Sequence, residues 1–201
     1  MKYLFCILMF TIVSVSFAEE DYAITIDGKP FEMSLGKEKK ITLKDGQSVS
    51  VIITKKDIVS FDGRLYSFQH KSSFLPNRID LGTGTFQTTL TTASGSQIIV
   101  QEWNKAIPDS FVNTMIKRLT EEELASGYKM KERDIEKDIN GTIFRGKEAI
   151  TTSVNEEWTR CVFLANVGKQ RLLIVTMIEK DNIQKDSDVI ITFWKSLRLK
   201  S

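Results

Sequence analysis

Residues 158–197 read WTRCVFLANVGKQRLLIVTMIEKDNIQKDSDVIITFWKSL, and the period of the apolar residues changes within them. Trp158 to Val167 and Arg171 to Glu179 are extended runs rich in Val, Ile and Leu, the composition of half-buried or buried strands. Asn166-Val167-Gly168-Lys169 lies between them and predicts a hairpin, because its glycine tolerates a tight turn. Beyond Glu179, Val189, Ile190, Phe193, Trp194 and Leu197 recur at three- and four-residue steps. That spacing puts them on one stripe of a helix, with Ser187 as its cap. Leu197-Arg198-Leu199-Lys200 then reads as a short tail. Two antiparallel strands followed by a closing helix predict an α+β layered domain.

The same change of period occurs once more, upstream. Phe111, Val112, Met115, Ile116 and Leu119 form an apolar stripe behind Pro108, with Asp109 or Ser110 as cap and Gly127 as stop. Glu121-Glu122-Glu123 sits at the C-terminal end of this mid-chain helix, against its dipole. Between the two helices, Ile139 to Ser153 is a further extended segment. Ahead of the mid-chain helix, Phe86 to Leu90 and Ile98-Ile99-Val100 read as strands, the latter ending in Gln101-Glu102-Trp103. Pro76-Asn77-Arg78 and Gly82-Thr83-Gly84 punctuate the Ser- and Thr-rich stretch around them as turns. The first third predicts hairpins instead. Asp27-Gly28, Asp45-Gly46 and Asp62-Gly63 each stand between alternating runs, and Asp-Gly suits turns in which both residues take positive φ.

The predicted fold is therefore an antiparallel β-sheet with a mid-chain helix and a C-terminal helix packed on it, preceded by N-terminal β-hairpins. Three segments follow: 1–18 as a cleaved signal peptide, 19–64 as the hairpin region and 65–201 as the α+β domain. Over Leu65 to Lys200 the order of elements resembles the PsbP/Mog-like fold of extrinsic photosystem proteins and some bacterial envelope proteins. The resemblance rests on the Phe74-Leu75-Pro76 turn, the mid-chain helix, the Arg160-Cys161-Val162-Phe163-Leu164 strand and the terminal Phe193-Trp194 helix. It implies a binding or accessory module and carries no active-site residues over; the hairpins at 24–53 lie outside it.

The N-terminus supplies an address. Lys2 precedes an apolar run from Leu4 to Val15, and Ser16-Phe17-Ala18 places small residues at −3 and −1 before Glu19-Glu20-Asp21. Signal peptidase reads that order, and the run is short of the ~20 residues that span a bilayer. We expect cleavage after Ala18 and a periplasmic or secreted product that is not an integral membrane protein. Cleavage removes Lys2 and no acid, leaving 27 of the 28 basic side chains against 26 acidic ones. Such a balance, with Lys37-Glu38-Lys39-Lys40 and Lys129-Met130-Lys131-Glu132-Arg133 as mixed, solvated runs, gives no long-range pull toward nucleic acid. Of the two cysteines, Cys6 leaves with the signal, so Cys161 has no partner for an intrachain disulfide.

Chemistry-bearing patterns fall short. Gly141-Thr142-Ile143-Phe144-Arg145-Gly146-Lys147-Glu148 satisfies G-x-x-x-x-G-K, then puts Glu148 where a magnesium-binding Ser or Thr belongs. It reads as a hairpin with two glycines. His70 and Cys161 are the sole thiol–imidazole pair, and Cys161 sits mid-strand among apolar neighbours like a small buried hydrophobe. Asp181, Asp186 and Asp188 lack EF-hand spacing and read as caps of the closing helix. We expect no cofactor, no metal and no enzyme. Trp103 and Trp158 each adjoin a polar or acidic residue and are the candidate partner-binding residues, while Trp194 reads as core. The expected function is that of a monomeric, exported, non-catalytic binding or accessory protein of the bacterial envelope that engages an envelope or secreted protein partner. The alternative is a carrier or sensor of a small apolar ligand, which requires a continuous apolar cavity between sheet and mid-chain helix.

Overall fold

The structure, a computed structural model, describes residues 21–200. The export signal at 1–18 lies outside the described residues. Two compact units divide between Lys55 and Lys56. In the first, β1 (Asp21–Ile26) pairs antiparallel with β2 (Lys29–Ser34), and β3 (Glu38–Thr42) with β4 (Ser48–Ile52). Asp27 and Gly28 take φ of 50° and 78°, the positive pair that a two-residue hairpin turn needs. Met33 and Ile41 are buried in this unit.

The second unit begins with β5 (Ile58–Asp62) and β6 (Tyr66–Lys71), which pair antiparallel along the whole of β5. That pairing puts the third Asp-Gly hairpin with the second unit and not with the two before it, so the boundary lies upstream of the 64/65 position read from sequence. Gly63 also serves differently from the first two turn glycines. A Cβ there would meet Glu102 Oε1 at 3.0 Å and Tyr66 Cε1 at 3.1 Å, so close packing, not positive φ, requires the glycine.

A seven-stranded antiparallel sheet follows: β7 (Asn77–Asp80), β8 (Thr85–Thr91), β9 (Gln97–Trp103), β10 (Lys129–Ile139), β11 (Thr142–Thr152), β12 (Glu157–Val167) and β13 (Gln170–Glu179). Their spatial order is β10-β11-β12-β13-β9-β8-β7, which makes β10 and β7 its two edges. α1 (Phe111–Ala125) intervenes between β9 and β10, and α2 (Ile183–Ser196) follows β13 after a 3₁₀ turn at Lys180–Asn182. Arg198–Leu199, read as tail, is instead β14, pairing with Ser67 and Tyr66 of β6. The class is α+β. Among the described residues, no helix is long and apolar enough to cross a membrane.

Alternation along the strands gives the sheet two apolar faces. On one, Ile98, Val100, Leu172 and Ile174 meet Val189 and Phe193 of α2, Leu197 at its C-terminal end, and Tyr66 and Phe68 of β6. Phe68 and Phe193 pack edge to face at 5.0 Å, and Trp194 packs partly buried against Phe163 at 5.1 Å. On the other, Val162, Leu164, Leu173 and Val175 meet Val112 and Ile116 of α1. Each large side chain so buried contributes roughly 1.5–3 kcal/mol.

Three sequence readings are corrected here. Helix α2 starts at Ile183, a turn before Ser187, because Asp186 is anchored inside by Thr92 Oγ1, which donates to its Oδ2 at 2.6 Å. Asp186 therefore ties a distant turn and caps nothing. Lys129 to Arg133, read as a solvated charge run, is exposed and belongs to the edge strand β10. Pro76-Asn77-Arg78 leads into a strand, not a turn, because Asn77 and Arg78 pair with Thr89 and Thr88. Ser110 stands at the N-cap of α1 without a side-chain cap bond, and Asp109 bonds Arg171 instead.

Candidate functional site

α1 lies over β11 and β12, with Phe111 reaching Trp103 of β9 and Ile99 packed against the α1 cluster, while the part of that sheet face carried by β7 is exposed. Directly opposed residues of antiparallel strands share a face. Ile79, Gln87 and Gln101 form one row across the three strands, and Asn77, Thr89 and Ile99 the next. Trp103 lies two residues beyond Gln101 on the same side, paired with Thr85. Apart from the buried Thr85, these residues are half-buried or exposed, and none is ionised. Gln101 Nε2 donates to Gln87 Oε1 at 2.7 Å, Gln87 Nε2 to Thr89 Oγ1 at 3.2 Å, and Trp103 Nε1 to Gln101 Oε1 at 3.2 Å. At the edge the surface turns apolar: Ile79 is 42% exposed, and Leu75 and Leu81, flanking β7, are 82% and 49% exposed.

A buried clamp sets the position of this edge. Glu102, 1% exposed on the α2 face of β9, receives a bidentate guanidinium from Arg78 of β7, with Nη1 at 3.0 Å from Oε1 and Nη2 at 3.1 Å from Oε2. Arg64 adds its backbone N–H at 3.2 Å and its Nε at 3.5 Å. Both guanidiniums lie over the Phe86 ring, Arg78 at 4.9 Å and Arg64 at 5.4 Å. Charge is thereby drawn to the inner face, and the outer face of β7 is left neutral.

The two candidate tryptophans share a sheet face but not a site. Trp103 stands beside Arg171 and Trp158 beside Glu179, at opposite ends of β13. At ~3.3 Å per residue they are separated by roughly 25 Å along the strand. Trp103 packs edge to face on Phe111 at 5.4 Å, and Trp158 carries the Arg160 guanidinium 5.3 Å above its ring. Arg160 also donates to Thr151 Oγ1 at 2.8 Å and forms a two-nitrogen ion pair with Glu123. That pair accounts for acid at the C-terminal end of α1: Glu123 is spent on a buried arginine.

The remaining candidates are structural. Cys161 lies on β12 of the large sheet and His70 on β6 of the small one, where its Nδ1 is 2.9 Å from the Lys71 carbonyl oxygen. Burial and then the Glu148 carboxylate push the Cys161 thiol up to about 11, which keeps it protonated and unreactive at neutral pH. In the G-x-x-x-x-G-K stretch, Asn140 and Gly141 form the β10–β11 turn with φ of 53° and 81°, while Gly146 lies inside β11. A Cβ at Gly146 would run into the Val162 carbonyl, so the second glycine lets β12 pass closely and cradles nothing.

Beside the N-terminal end of α1 a cleft of about 240 Å³ opens over β11 and β12, lined by Asp109, Arg145, Lys147 and Arg171 together with Val112 and Leu164. It is not the continuous apolar cavity that a carrier of apolar ligands requires. Lys147 Nζ lies 2.5 Å from Glu132 and 3.1 Å from Asp134, and these bonds raise its pKa, the wrong direction for a general base.

An antiparallel sheet with one helix on each face has counterparts in overall fold among solved structures. In fold, the chain resembles PsbP. Cyanobacterial PsbP (CyanoP) from Synechocystis sp. PCC 6803 matches with a TM-score of 0.47 and 11% identity, over 72% of this chain and 93% of that one. A Bacteroides thetaiotaomicron VPI-5482 protein matches with a TM-score of 0.38 and 13% identity, over 71% of this chain and 48% of its own. PA94 from Pseudomonas aeruginosa, a protein of unknown function, matches with a TM-score of 0.28 and 10% identity, over 78% of this chain and 92% of its own. No protein-family model and no curated protein matches the chain. At these identities the likeness concerns fold alone.

Proposed function

We propose that the chain is exported by its N-terminal signal, cleaved after Ala18, and acts in the periplasm or outside the cell as a non-catalytic binding or accessory protein. Its partner is an envelope protein that adds an extended, uncharged segment to the β7 edge. One observation carries this reading: β7 ends the sheet with Ile79 exposed between Leu75 and Leu81, beside the neutral Gln87–Gln101–Trp103 surface. An edge strand offers unpaired backbone groups, and its side-chain face selects what pairs with it. A neutral, partly apolar face favours a neutral segment, since a charge laid there would be desolvated without a partner. Trp103 extends the contact at the end nearest α1.

The test is fractionation of cells expressing the tagged chain, followed by chemical crosslinking and sequencing of the crosslinked peptides. We expect a periplasmic or secreted species that begins at Glu19 and is joined near β7 to an extended segment of one envelope protein. Ile79→Lys should abolish that adduct without changing the melting temperature. A cytoplasmic species that retains Met1, or an adduct indifferent to Ile79→Lys, would contradict the reading.

A further inference from the structure

The α1 cleft is separate from the β7 surface and has a chemistry of its own. Arg145, Lys147 and Arg171 face it together with Asp109 and Asp134, with Lys147 held by Glu132 and Asp134 and Arg145 by Glu136, and α1 begins at its rim with no acidic residue in its first turn. Arg171 is the cation built into the wall: its side chain is 14% exposed, against 24% for Lys147 and 80% for Arg145. Its Nη1 donates to Asn166 Oδ1 at 2.6 Å and its Nη2 meets the Asp109 carboxylate, while its buried Nε has no hydrogen-bond partner. Asp109 itself is 90% exposed, so it reaches the guanidinium from solvent and can leave it at little cost. A carboxylate bound across Nε and Nη2 would satisfy the orphan donor in the bidentate geometry that guanidinium favours. Val112 and Leu164 supply an apolar wall beside it. The cleft volume corresponds to roughly eight water molecules, which admits a body about the size of one ring.

We propose that this cleft binds a small organic carboxylate, with the Arg171 fork taking the carboxylate, Lys147 adding a second positive charge, and Val112 and Leu164 covering the apolar body. Asp109 occupies the guanidinium when the ligand is away and competes with it.

The proposal is tested by titrating the mature protein with benzoate, benzyl alcohol and inorganic phosphate, followed by amide chemical shifts and calorimetry. Benzoate should bind saturably and shift residues around Val112 and Arg171, while benzyl alcohol should not bind. Arg171→Lys should weaken benzoate by tenfold or more, because a point charge replaces the fork. Lys147→Gln, on a more exposed side chain, tests the second cation without disturbing the wall and should weaken binding severalfold. Asp109→Asn should tighten benzoate, an effect that a merely structural ion pair does not produce. Equal binding of benzyl alcohol, tighter binding of phosphate than of benzoate, or unchanged affinity in Asp109→Asn and Lys147→Gln would overturn the proposal. None of these readouts depends on a protein partner, so the two readings fail separately.

Discussion

The two edges of the large sheet are held and guarded in opposite ways. β10 runs for eleven residues, and eight of them, Lys129, Lys131, Glu132, Arg133, Asp134, Glu136, Lys137 and Asp138, are charged. Beyond the backbone ladder, its side-chain bonds to β11 are ion pairs: Arg133 Nε with Glu148 at 2.6 Å, Arg145 Nε with Glu136 at 3.2 Å, and Lys147 with Glu132. Such pairs add little stability, but a charged edge resists pairing with another chain. β7 has four residues and a single buried clamp, Arg78 on Glu102. One edge uses its charges outwardly, as protection. The other draws its charge inward and leaves an apolar rim exposed. An unprotected edge is tolerated where it is covered in use, and that difference is why we propose β7 as the binding surface.

The comparison is broken most severely at the clamp. Glu102→Ala should cost about 3 kcal/mol in chemical denaturation, because it strands Arg78 and Arg64 beside a buried gap. It should also release β7 and with it partner binding; a loss below about 1 kcal/mol would mean the clamp is incidental. On the β10 side the expected weak point is steric. Gly146→Ala should cost about 2 kcal/mol, because the added methyl meets the backbone of Val162 and cannot be relieved by a rotamer change. A neutral result there would show that β11 and β12 can separate freely.

A third prediction concerns pH on the β7 side. Asp186 fixes the β8–β9 turn by accepting from Thr92 at 2.6 Å and Ser94 at 3.1 Å. Burial would raise its pKa, but the hydroxyls of Ser96, Thr92 and Ser94 more than offset this and hold it below the ordinary carboxylate value. A depressed folded pKa contributes stability that is complete above the unfolded value of ~3.9 and is lost as pH falls through the folded one. Asp186→Asn should therefore cost about 1 kcal/mol at neutral pH and nothing in strong acid. A stability difference that stayed constant down to pH 2 would refute this. The smallest effect on stability belongs to the guarded edge. Replacing Lys131, Arg133, Asp134 and Glu136 together with threonine should leave the melting temperature nearly unchanged, yet sedimentation should detect self-association through β10. A variant that stays monomeric would deny the charges their guarding role.

Much of the frame was legible because local chemistry dictated it. Asp27-Gly28 turns as two positive-φ residues must, the Phe111 to Leu119 stripe is α1, and the apolar runs after Trp158 are β12 and β13. What escaped sequence reading depends on pairings distant along the chain. Asn77-Arg78-Ile79-Asp80 has no apolar alternation to mark a strand, and Arg78 finds Glu102 only across the fold. β10 hides its extended form because both sides of its first six residues are wet. The first turn of α2 is fixed by Thr92 and Ser94, far upstream, and the C-terminal tail becomes a strand only by meeting β6. At the candidate site, Trp103 was visible as an amphipathic aromatic, while Leu75, Ile79 and Leu81 were not. Their exposure, and not their identity, is what distinguishes them, although an apolar residue on each side of a short polar run after Pro76 was a usable hint.

The central claim is tested most directly by placing a photo-crosslinking side chain at position 79 of β7 or, separately, at position 131 of β10, and irradiating intact cells. Efficient crosslinking of one envelope protein from position 79, with none from position 131, is the predicted result. Equal yields from the two edges, or adducts from position 131 alone, would contradict it.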